Sequence, residues 1–143
     1  MQIHPFTFRI ALWNKDFDAI MSVRKKVFVK EQNVPEEIEL DDEDPFCTHF
    51  LVETIDGSPI ATARISKFGK IGRMAVLKEW RNRKVGTELM KFVLNTAIKE
   101  GLRSFYLHSQ VSVISFYKKF GFKESGEVFY EADIPHQKMT LEF

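Results

Sequence analysis

The chain has 143 residues, 21 Lys and Arg against 20 Asp and Glu, a formal charge of +1, and 44% apolar residues. That length supports one domain with a sizeable core, and the balanced charge argues against a general affinity for nucleic acid or membrane. A single cysteine, Cys47, excludes an intrachain disulfide. No apolar run reaches the roughly 20 residues that span a bilayer, so a cytoplasmic protein is expected.

Phe6 to Leu12 alternates apolar and polar residues, the period of a half-buried strand. Asn14 or Asp16 is placed to cap a helix on which Phe17, Ile20, Val23, Val27 and Phe28 recur at helical spacing. Glu31 to Asp44, with Pro35, is too acidic for a buried strand and reads as a loop with at most one helical turn. Cys47 reads as a small buried apolar residue.

Thr48–Thr54 and Pro59–Ser66 are expected strands around the turn Ile55-Asp56-Gly57-Ser58, and Phe68-Gly69-Lys70 turns into a third, Ile71–Leu77. A helix over Thr87–Glu100 ends at Gly101 and is followed by a strand over Ser104–Gln110. Ser112 caps a short helix that Gly121 stops, and Glu127–Tyr130 and His136–Phe143 supply the last strands. A helix crossing between Ile71–Leu77 and Ser104–Gln110 requires those strands to lie parallel or nearly so. The expected fold class is therefore α/β: a mixed, mostly antiparallel sheet with a central near-parallel strand pair and helices on both faces. Residues 1–143 form a single domain in this reading.

Charge is segregated along the chain. Glu36 to Asp44 holds seven acids and no base, whereas Arg64 to Lys91 holds nine bases and two acids. Within the basic stretch, Arg81-Asn82-Arg83-Lys84-Val85-Gly86 joins a strand to a helix. The first amides of a helix lack partners within it and lie at the positive end of its dipole, so this turn suits a diphosphate. The ending Gly-Lys-Ser/Thr of an ATP loop is absent.

Two motifs together resemble the Gcn5-related N-acetyltransferases (GNAT). Arg81, Lys84 and Gly86 match the family's phosphate turn, Arg/Gln-x-x-Gly-x-Gly/Ala, with Lys84 in place of its first glycine. Phe116-Tyr117-Lys118-Lys119-Phe120-Gly121-Phe122 matches the aromatic-Tyr pair before Gly-Phe. Val23 to Gln32, the acidic loop leading to His49, and Ile134-Pro135-His136 are similar to the bacterial ElaA-like branch.

The resemblance implies a GNAT-like fold and acetyl-CoA as cosubstrate, without a metal. Its diphosphate would lie on Arg81, Asn82, Arg83, Lys84, Val85, Gly86 and Thr87. Its pantetheine arm would pair with the strand edge at Met74, Ala75 and Val76, and Ser115 is a further contact. Tyr117 would be the general acid to the departing thiolate; by spacing alone it reads rather as a residue at the edge of the core, and the resemblance reverses that.

The acceptor would be a primary amine of a small molecule or peptide, and the protein a monomer or homodimer. Glu31, Gln32, His49, Gln110 and His136 are the expected substrate contacts. Glu31, His49, His108 and His136 are the candidate bases, none singled out by sequence. The acidic loop reads either as an attractor of cationic amines or as a solvated surface. The rival function is a domain that binds CoA without catalysis.

Overall fold

The computed structural model describes residues 5–143 and contains strands β1 (Phe6–Ala11), β2 (Thr48–Thr54), β3 (Pro59–Ile65), β4 (Lys70–Val76), β5 (Ser104–Gln110), β6 (Lys123–Glu131) and β7 (Ile134–Glu142). Between them lie helices α1 (Phe17–Arg24), α2 (Glu36–Glu39), α3 (Val85–Lys99) and α4 (Ile114–Lys118). The strands form one sheet in the order β1-β2-β3-β4-β5-β7-β6, antiparallel throughout except for β4–β5. This is the mixed α/β sheet that the crossover argument requires.

Helices cover both faces of its first half. Adjacent residues on a strand point to opposite sides. Accordingly, Phe50 of β2 meets Phe92 of α3 edge to face, while its neighbour Leu51 packs with Ile20 of α1. The α3 face continues through Leu89, Met90, Val93, Leu94 and Ala97 into the main core, which also takes in Phe105 and Leu107 of β5 and Met139 and Leu141 of β7. Gly69, at φ +89°, lets the turn into β4 lie against β5: a Cβ there would meet the Ser104 carbonyl oxygen at 2.3 Å. No helix among the described residues is long and apolar enough to cross a membrane.

Five local expectations need correction. Ser112 does not cap the short helix: Val113 precedes Ile114, and no side chain caps that end. Asp16 precedes α1 but makes no side-chain cap; its carboxylate instead accepts bonds from the Leu12 amide and the Arg9 guanidinium. The helix over Phe17–Phe28 does not stay regular: its continuation, Lys25–Glu31, widens to a π-helical turn. β6 begins four residues earlier than expected. Its polar first half joins β7 through a bulge between Ser125 and Phe129, whose carbonyls at Ser125 and Gly126 accept from the buried Gln137. Cys47 is only partly buried.

The acidic loop is in part a solvated surface, with Glu36, Glu37, Asp42 and Glu43 exposed, and in part a buried clamp. Glu39 and Asp44 are 2% and 0% exposed, and the fully buried Arg24 bonds to both carboxylates. Arg64 of β3 reaches Asp41 and Asp44 at 2.7 and 2.6 Å, and Arg73 of β4 adds Asp41 and the Glu39 carbonyl. Desolvating so many charges is costly, and only this mutual hydrogen bonding offsets it. The loop is thereby clamped across β3 and β4, and two bases of the basic stretch are neutralised.

Candidate active site

β4 and β5 run together for only two pairs, Lys70↔Tyr106 and Ile71↔Leu107, and then part. β5 turns to β7, and β4 stays with β3 through a bulge between Thr62 and Arg64, where Arg73 takes φ +47°. A V-shaped gap opens between the two strands. The Leu77 amide donates to Ile60 of β3, so strand alternation turns the backbone groups of Val76 and Met74 toward the gap. Ala75, 3% exposed and registered with Thr62, turns its backbone to β3 instead. Of the three expected edge contacts, Met74 and Val76 face the gap.

The Arg81–Gly86 turn closes the wide end of this gap. Asn82 and Lys84 both adopt left-handed conformations, each at φ +63°. Lys84 therefore holds the backbone shape that glycine adopts without steric cost, and it does so with a side chain. It is the residue before α3 and offers no side-chain cap. The first bond into the helix runs from the Glu88 amide to the Lys84 carbonyl, which leaves the Val85, Gly86 and Thr87 amides without partners inside it. A Cβ on Gly86 would meet Phe116 and Val76 only at 3.6 to 3.7 Å, so packing alone does not demand glycine there. The Arg83 guanidinium lies 5.0 Å above the Trp80 ring.

Arg81 is committed within the protein. Its Nε donates to the Val76 carbonyl at 2.9 Å, and its two terminal nitrogens hold Glu31 at 2.5 and 2.7 Å. The Arg81 hydrogen bonds pull the Glu31 carboxyl below its ordinary range. The next residue, Gln32, accepts a bond from Gln110 of β5 at 2.8 Å. The π-helical turn thus ends in two residues that reach opposite banks of the gap.

Tyr117 stands on the α3 side, packed edge to face against Phe116 and Phe122. Burial among these rings pushes its phenol up to about 12. Ser115 is exposed on the same short helix. On the opposite face of β5, His108 and Gln110 are half-buried and His136 of β7 lies beside them, in register with Gln110. The imidazole of His136 contacts the Ile134 carbonyl at 2.7 Å and stacks on Phe129.

His49 does not join this group. It is 1% exposed, stacked on Trp13 at 4.5 Å and bonded to the Asp44 carbonyl, and burial lowers its pKa. It is a core residue beneath α1. Among the described residues no group of His, Cys, Asp or Glu side chains is arranged to hold a metal ion.

A family model described as acetyltransferase (GNAT) domain matches residues 18–143. The chain belongs to the GNAT acetyltransferase family. The uncharacterized N-acetyltransferase YjcF of Bacillus subtilis is 39% identical over 122 residues, 82% of this chain and 86% of that protein. Protein ElaA of Escherichia coli is 36% identical over 132 residues, 87% and 86% of the two chains. The crystal structure of Escherichia coli ElaA superposes with a TM-score of 0.86, covering 96% of this chain and 99% of that one at 31% identity. An acyl-CoA N-acyltransferase from Pseudomonas aeruginosa superposes at 0.84, covering 95% and 97% at 29% identity.

Within this GNAT chain, sequence reasoning passed over two residues near the gap. Glu131 of β6 contacts His108 Nδ1 at 2.8 Å, and Phe129 packs edge to face on the same imidazole at 5.0 Å. Nothing local marked either one. They arrive by the β6–β7 hairpin and its bulge, which no periodicity announces.

Proposed function

We propose that this GNAT protein transfers the acetyl group of acetyl-CoA to a primary amine of a small molecule or peptide by direct attack. In this reading residues 1–143 act as one acetyltransferase domain, a cytoplasmic monomer or homodimer. The observation that carries it is the gap between β4 and β5: an open strand edge leads straight into a helix start with unpartnered amides. Val85, Gly86 and Thr87 amides, with Arg81 and Lys84 beside them, suit a diphosphate. Val76 and Met74 suit an amide chain laid along the strand edge, and Ser115 borders the site. When bound, acetyl-CoA supplies the activated thioester.

Tyr117 acts on the leaving sulfur. Burial pushes its phenol up to about 12, so it is protonated at neutral pH and donates a hydrogen bond to the charge that develops on sulfur, acting as general acid to the departing thiolate. Glu31 serves the site through Arg81, and Gln32 and Gln110 border the acceptor's approach with His136.

Thiol release from acetyl-CoA with polyamines, amino sugars, amino acids and peptides tests the reading. Tyr117→Phe should lower kcat about 100-fold while leaving CoA affinity within about twofold. Tight CoA binding with no thiol release for any amine identifies a binding domain instead.

A further inference from the structure

Past its last pair with β4, Ile71↔Leu107, the first β5 residue is His108, at the apex of the gap. Phe105 and Leu107 point into the core, so alternation sends His108 to the face opposite Tyr117. Its side chain is 25% exposed, reachable from solvent yet held on two sides. Glu131 Oε1 lies 2.8 Å from Nδ1, and the Phe129 ring stands edge to face 5.0 Å away. A carboxylate only accepts hydrogen bonds, so in the neutral ring this contact places the proton on Nδ1 and the lone pair on Nε2. The other charged or titratable neighbours on that face are His136, 4.0 Å from the second Glu131 oxygen, Lys138, the cross-strand partner of His108, and Tyr106, over which Lys138 Nζ sits at 5.2 Å.

We propose that His108 Nε2 is the general base for the acceptor amine and that Glu131 is the positioning residue that fixes its tautomer. This rests on the acetyltransferase reading. The amine nitrogen forms a bond to the acetyl carbonyl carbon, the C–S bond breaks, and the sulfur keeps that electron pair under the Tyr117 hydrogen bond. The proton lost by nitrogen goes to His108 Nε2 and returns through water and the Tyr117 phenol to the thiolate, so the products are amide and free thiol. Base and sulfur ligand lie on opposite faces of the sheet, which lets the amine enter from the side that α3 and α4 leave open. The arrangement follows the carboxylate–imidazole logic of other acyl transfers, with an amine in place of a hydroxyl.

The experiment compares His108→Gln and Glu131→Gln with the unaltered protein. Thiol release is followed with the alkylamines spermidine, tyramine and Nα-acetyl-lysine, and with hydrazine, a much larger fraction of which is free base at neutral pH than of an alkylamine. For whichever alkylamine the unaltered protein accepts, His108→Gln should lower kcat about 100-fold, with KM for acetyl-CoA within about twofold. Its deficit toward hydrazine should be about tenfold smaller, because less deprotonation is required. Independently of turnover, ring 15N shifts should place the His108 proton on Nδ1, and Glu131→Gln should let it redistribute. Thermal melting of both variants checks the fold.

A His108→Gln enzyme with unchanged kcat, or equal deficits toward amine and hydrazine, overturns the assignment and leaves the acetyltransferase reading standing. A proton on Nε2 in the unaltered protein overturns the role of Glu131. CoA binding without thiol release for any nucleophile overturns both readings together.

Discussion

Glu31 and Arg81, 50 positions apart in the chain, are joined by two hydrogen bonds, and the same guanidinium also holds the Val76 carbonyl. The pair ties the end of the π-helical turn to the start of the Arg81–Gly86 turn and to the edge of β4. Both side chains are about one-third exposed, 35% and 36%. An ion pair so open to solvent contributes at most about 1 kcal/mol to stability. Arg81→Ala should therefore leave the melting temperature nearly unchanged while weakening CoA binding about tenfold, because it unties the turn from β4 and removes a positive charge beside it. Glu31→Gln should change CoA affinity only a few-fold. Calorimetric titration with CoA measures both, and unaltered affinity in Arg81→Ala would remove that side chain from the site.

Asp44 makes stability depend on acid. Burial by itself would raise its carboxyl, but bonds from Arg24, the Asp41 amide and Arg64 prevail and hold it at about 2, below the ordinary 3.8. A carboxyl depressed by folding stabilises the protein fully above its unfolded value. That contribution disappears as pH falls from about 4 toward 2, and a shift of this size corresponds to about 2 kcal/mol. Urea unfolding at pH 7, 4 and 2.5 should show the loss. Asp44→Asn should lower stability at pH 7 by about 3 kcal/mol, because Arg24 and Arg64 each lose one buried carboxylate while keeping Glu39 and Asp41. A variant as stable as the parent would show that the clamp is energetically idle.

Lys84 holds φ +63° in a position where glycine carries no steric penalty. Lys84→Gly should relieve about 1 kcal/mol of backbone strain and raise the melting temperature by about 2 to 4 °C. CoA titration of the same variant separates backbone from side chain. Unchanged affinity assigns the turn's binding to its amides, and a clear loss assigns part of it to the Lys84 ammonium.

The Tyr117 phenol should ionise late. Burial raises its phenol from 10.0 to about 12, so it stays protonated through the range in which the enzyme is assayed. Ultraviolet titration of the folded protein should contain a late component that Tyr117→Phe abolishes. If the variant instead removes a component near the ordinary value, the phenol is solvated rather than buried.

The Arg81–Gly86 turn and the Phe116–Phe122 motif were legible because each is a local device. A helix start, a glycine and an aromatic run are written in consecutive residues. The crossover between β4 and β5 was legible for a related reason, since a helix between two strands of one sheet leaves few orientations open. His49 was misleading as a substrate contact, because a histidine beside an acidic loop carries no mark of its burial. Glu131 and Phe129 went unread, since their partner His108 lies more than twenty positions away.

Periodicity, turn residues and short motifs determined the element order, the mixed sheet and the turn at Arg81–Gly86, because backbone preference and amphipathic spacing act over a few residues. Tertiary structure alone decided where the strands part, that Glu39, Asp41 and Asp44 meet Arg24, Arg64 and Arg73, and that Glu31 reaches Arg81. It also decided that Lys84 takes a left-handed conformation. Those outcomes depend on which charges meet across the sheet and on how much water is excluded between them. Neither quantity exists until the chain has closed on itself.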